Sequence, residues 1–107
     1  MPHLRSEQRA MTRFFLDLPV SIRVNRKSGW EHGGRTRDAS SRGVFFYVDS
    51  SFVEGEPVEF ILTVPPQITL GAPIRVHCAG RITRVDRHVT MQGVAATIDR
   101  YEFLREA

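Results

Sequence analysis

Two arginines four residues apart, Arg9 and Arg13, and a short run holding an acid, a hydroxyl and a glycine, Asp38, Ser40 and Gly43, are the residues whose types and spacing suit chemistry. An arginine grips phosphate bidentately, donates to the O6 and N7 edge of guanine, and stacks on a purine face. A carboxylate accepts from guanine N1–H and N2–H, while a hydroxyl and the N–H groups of a turn meet phosphate or base. A small guanine nucleotide with several phosphates would use all of them. The competing reading of residues 38–43 is structural: Asp and Ser bond nearby backbone N–H groups, Gly tolerates positive φ, and the stretch is then a turn with no ligand.

The charge distribution favours an anionic partner. Residues 1–43 hold nine Lys and Arg against four Asp and Glu, and residues 44–107 hold six against eight, so the overall +3 belongs to the half carrying both motifs. Other chemistries find little support. His3, His32, His77 and His88 lack ligand spacing, and Cys78, the single cysteine, cannot complete a zinc site or an internal disulfide. No nucleophile elbow, zinc-protease helix motif or P-loop is present, so no catalytic activity and no cofactor are expected. No apolar run reaches the roughly 20 residues of a membrane helix, and no secretory signal is visible, so the expected location is the cytoplasm without membrane insertion.

These residues need a scaffold, and 107 residues suffice for one domain. Residues 1–13 are polar and weakly periodic, and read as a flexible basic arm, with a single domain over residues 14–107. Alternation marks strands at Val20, Ile22 and Val24, at Val44, Phe46 and Val48, and at Val58, Phe60, Leu62 and Val64. A short strand is expected at residues 35–37, a turn over residues 38–43, and a loop over residues 67–73. A long strand is expected from Ile74 to Val85, with a bulge or bend at Ala79 and Gly80, and a last strand over residues 92–98. Asp99 followed by Glu102 has the form of a capping box and predicts a short C-terminal helix. Six or seven short strands in about 100 residues indicate an antiparallel, closed or nearly closed barrel.

In order and setting, Arg9-x-x-x-Arg13 before a strand and Asp38-x-Ser40-x-x-Gly43 resemble the two signatures of the PilZ domain family, R-x-x-x-R and [D/N]-x-S-x-x-G. Leu18-Pro19-Val20, Gly43-Val44-Phe45-Phe46, the strand from Val58 to Pro66, and Gly93-Val94 fall where that family's features fall. The resemblance implies an all-β, six-stranded antiparallel barrel that binds the bacterial second messenger cyclic di-GMP. It assigns phosphates and guanine edges to Arg9 and Arg13, a guanine to Asp38 and Ser40, and the backbone turn to Gly43. Arg5, which also fits the first signature with Arg9, and Arg37 and Arg42, by proximity and charge, are weaker candidates. Gln8 occupies a position that in the family bears on whether one ligand or an intercalated pair is bound. The expected output is an ordering of the arm that remakes the surface for a downstream protein, with no DNA or RNA partner. Two rivals stand beside it: a PilZ-like adaptor that binds protein only, and a basic barrel that stacks single-stranded nucleic acid on Phe45, Tyr47 and Trp30.

Overall fold

The computed structural model describes residues 14–24, 29–30 and 32–104, with the His32 side chain left out. The alternating segments form strands β1 (Phe14–Phe15), β2 (Pro19–Arg23), β3 (His32–Ala39), β4 (Gly43–Val48), β5 (Pro57–Val64), β6 (Ile74–Arg87), β7 (Gln92–Thr97) and β8 (Arg100–Leu104). One helical turn, α1 (Pro66–Thr69), stands in the segment expected to be loop, after Pro65 and Pro66 have ended β5. All pairings are antiparallel. The hydrogen-bonded order β3-β2-β5-β6-β7-β4 closes on itself through β3 and β4, giving a six-stranded barrel. β1 adds to β3, and β8 adds to β6.

The interior is the face on which the alternating residues converge: Val20, Ile22, Val44, Phe46, Phe60 and Ile82 are fully buried. Burying each such side chain is worth about 1.5–3 kcal/mol. Cys78 belongs to this core, and burial pushes its thiol up to about 11. That environment suits packing rather than nucleophilic attack.

Four further sequence expectations change. The expected C-terminal helix is instead strand β8, because Asp99 N–H donates to the Ala79 carbonyl and the following residues pair with β6 from Ala79 back to Arg75. Five residues are too few to hold a helix alone, whereas the open edge of β6 satisfies their backbone at once. The expected short strand at residues 35–37 is the eight-residue β3, extended through Gly33 and Gly34 by pairing with β2 and β4. The expected bulge at Ala79 and Gly80 is absent, since β5–β6 register runs through both; the shift lies between Ile82 and Arg84. Gly80 serves close approach instead, as a Cβ there would stand 1.9 Å from the Thr97 carbonyl oxygen. Lastly, Asp38 and Ala39 belong to β3, so the turn narrows to residues 40–42.

Candidate ligand-binding site

A β-bulge decides where Asp38 points. Thr36 lies opposite Phe46, the next pair is Asp38 with Phe45, and Arg37 is the extra residue. Directly opposed residues share a face, so Thr36 joins Phe46 on the inner side and Asp38 joins Phe45 on the outer side. In unbroken alternation Asp38 would follow Thr36 into the core, where a carboxylate is costly. Thr36 meets its own polar need by accepting from Leu18 N–H at 2.9 Å and donating to the Leu16 carbonyl.

Asp38 is only 2% exposed although it lies on the outer face. Arg37 Nε donates to its Oδ2 at 2.5 Å, and the same guanidinium lies 3.9 Å from the Phe45 ring centroid. Phe45 is itself buried although it faces outward. Gly93 makes room for the ring, since a Cβ there would come within 2.5 Å of it, and Arg84 approaches at 5.6 Å. The hydrogen bond to Asp38 raises the Arg37 pKa above its ordinary value despite partial desolvation, and the Tyr47 hydroxyl adds to the effect. Arg37 is thus a fixed planar cation, with one face on Phe45 and a side chain that remains 43% exposed. Such a group can take a purine or a phosphate on its open side.

Ser40 and Gly43 close the hairpin. Ser40 N–H donates to the Gly43 carbonyl at 2.8 Å, and Arg42 N–H donates to Ser40 Oγ at 3.2 Å, the local turn bonding expected of this residue. Arg42 is exposed, and a small cleft of about 140 Å³ beside Ser40 and Gly43 runs toward Thr83 and Thr97. On the other flank of Arg37 a groove of about 560 Å³ runs between Arg35, Tyr47 and Met91. Arg35 is held there by Asp17 at 2.5 Å.

Of the sequence candidates, the structure therefore brings together Arg37, Asp38, Ser40, Arg42 and Gly43. Arg5, Gln8, Arg9 and Arg13 lie outside the described residues. The first described residue, Phe14, is paired with Ala39, and Phe15 with Asp38. The chain enters the barrel beside the hairpin. Sequence reading missed Arg84 and the stacked arrangement of Arg37 on Phe45 over Gly93. Gly93, within β7, was the available signal.

A family model described as PilZ domain matches residues 3–103. The chain belongs to the PilZ domain family. No protein of curated function matches this PilZ domain in sequence. Among solved structures, it is similar to the Bacillus subtilis inhibitor of motility MotI/DgrA, with a TM-score of 0.67 at 15% identity. The match covers 82% of this chain and 41% of that one, and at such identity the likeness is one of fold. Two stacking surfaces that single-stranded nucleic acid would need are compromised: Phe45 is buried, and Trp30 carries the Arg23 guanidinium 4.4 Å from its ring centroid. Among the described residues no group of His, Cys, Asp and Glu could hold a metal ion, and no helix is long and apolar enough to cross a membrane.

Proposed function

We propose that this PilZ domain is a cytoplasmic receptor for cyclic di-GMP, without catalytic activity of its own. The observation that carries the reading is the β1–β3 pairing, which sets the residue after Arg13 beside Ala39. In this reading the two motifs, separated by about 25 residues in sequence, meet at the Asp38 hairpin. Ligand binding there uncovers the Asp38 carboxylate, which takes a guanine edge together with Ser40, while Arg9 and Arg13 take the phosphates and Arg37 offers its open face to a base. The two phosphates attract the basic segment of residues 1–13, whose ordering over the ligand remakes the surface read by a downstream protein.

Isothermal titration with cyclic di-GMP, and with GTP and cyclic di-AMP as controls, tests it. Saturable binding selective for cyclic di-GMP is expected, with Arg13→Ala weakening it by about 1.5–3 kcal/mol, the range for charge-assisted hydrogen bonds. No heat and no shift in melting temperature at high ligand concentration would overturn the receptor reading. The PilZ-like adaptor would then take its place, a reading favoured by the exposed aromatic residues of β8.

A further inference from the structure

Two adjacent rows of residues cross the inner face of the sheet. One runs Ile22, Phe60, Cys78, Tyr101, and the other Val20, Leu62, Val76, Phe103. The first three residues of each row are buried or half-buried, yet Tyr101 and Phe103 are 63% and 65% exposed. The cause is topological. β8 lies off the closed ring, so its inner face continues the core surface past the point where the opposite wall of the barrel covers it. β8 pairs with β6 along one edge, and its other edge pairs with no described strand. An open strand edge carrying adjacent exposed rings is a template for another strand, and folded proteins ordinarily blunt such edges.

We propose that the occupant of this edge is β8 of a second copy of the chain, paired antiparallel about a two-fold axis. The outward side chains of β8 select both partner and register. In a two-fold pair with the axis normal to the sheet, only registers that set inner-face residues opposite inner-face residues are allowed. Centring the pair on Glu102 would oppose two carboxylates. Centring it on Tyr101 opposes Arg100 of each copy to Glu102 of the other, making two ion pairs, and joins the two Tyr101 rings with a Phe103 beside each. The Arg100 side chain is available for this role, having no hydrogen bond or ion pair to another described residue. Among the described residues the Glu102 carboxylate meets His77 Nδ1, at 3.5 Å. The pairing is independent of nucleotide, since β8 and the Asp38 hairpin belong to different parts of the barrel.

The test is sedimentation velocity of the full chain from about 1 µM to about 500 µM, a range that brackets pairs with small interfaces. The wild type is expected to convert to dimer with concentration. Arg100→Glu, or Glu102→Arg alone, turns both ion pairs into like-charge contacts and should weaken association on the order of tenfold, while the double exchange R100E/E102R restores it. Far-UV circular dichroism and melting temperature confirm that each variant folds. A wild type that stays monomeric across the range overturns the proposal and leaves the face to a different protein. A dimer that neither single variant weakens, or that the double exchange fails to restore, also overturns it, because the contact then lies elsewhere.

Discussion

At the β3–β4 hairpin a carboxylate is buried on the outside of the barrel, and at β8 two aromatic rings are bare on its inside. Asp38 is bonded by Arg37, whose guanidinium also stacks over Phe45, so the buried carboxylate is met by a cation with a planar face. Tyr101 and Phe103 continue apolar rows that are sealed farther along, yet no described element lies across them. Sheet face alone does not set burial. Barrel closure seals the inner face only where an opposite wall exists, and the outer face can bury a carboxylate that is held by an arginine stacked on an aromatic ring.

The largest difference is expected from shortening a phenylalanine on the sealed and on the bare part of the inner face. Phe46 is completely buried and its ring lies 6.0 Å from that of Phe60. Phe46→Ala should cost about 3–5 kcal/mol of unfolding free energy in urea denaturation, as removal of a core ring does. Phe103→Ala, on the bare part of the same face, should cost less than about 1 kcal/mol. Equal losses would mean that β8 is covered, and the contrast between the regions would disappear.

Glycine substitutions sharpen the same point at lower cost. A Cβ at Gly80 would meet the Thr97 backbone, which can yield only if the main chains of β6 and β7 part, whereas a Cβ at Gly93 would meet the Phe45 ring, a side chain that can shift. Gly80→Ala should therefore be the more destabilising, with Gly93→Ala at about 1–3 kcal/mol, the range for overpacking. A methyl group added at Gly33 would meet nothing within 4 Å, so Gly33→Ala should leave stability within about 1 kcal/mol of the wild type. Gly93→Ala carries a second expectation that Gly33→Ala does not. By displacing Phe45 it disturbs the stacked Arg37 and should lower nucleotide affinity in the same titration.

The core was legible because period-two alternation is a local signal: Val44, Phe46 and Val48, or Val58 and Phe60, announce their face without knowledge of any partner. The hairpin was half legible. The types of Asp38, Ser40 and Gly43 marked the place, but the bulge at Arg37 that turns Asp38 outward is a property of the β3–β4 pairing. The C-terminus was misread for the same reason. Asp99 and Glu102 satisfy a local helix rule, yet Tyr101 and Phe103 also alternate with Arg100 and Glu102, and the open edge of β6 chooses between the two patterns. Where a long-range partner competes with a short local signal, five residues of local preference lose.

The outer face of β8 and its neighbours offers the gentlest test, by pH. Glu59 on β5 accepts from Arg23 at 3.0 Å and from His77 at 2.9 Å, and His77 in turn reaches Glu102 on β8. Burial by itself raises the Glu59 carboxyl, but the hydrogen bonds from Arg23 and then His77 together outweigh it and hold the group below its ordinary value of 4.5. A carboxyl whose folded pKa lies below its unfolded one contributes stability above the unfolded value and loses it as pH falls through the folded value. The wild type should therefore lose urea resistance in that acid window more steeply than Glu59→Gln, which has no carboxyl to titrate there. Because the network ties β2, β5, β6 and β8 across the outer face, hydrogen exchange should speed up in β8 before it does in the β3–β4 hairpin. Parallel pH profiles for the two proteins would show that the network does not hold β8 in place, and that its pairing with β6 rests on backbone hydrogen bonds alone.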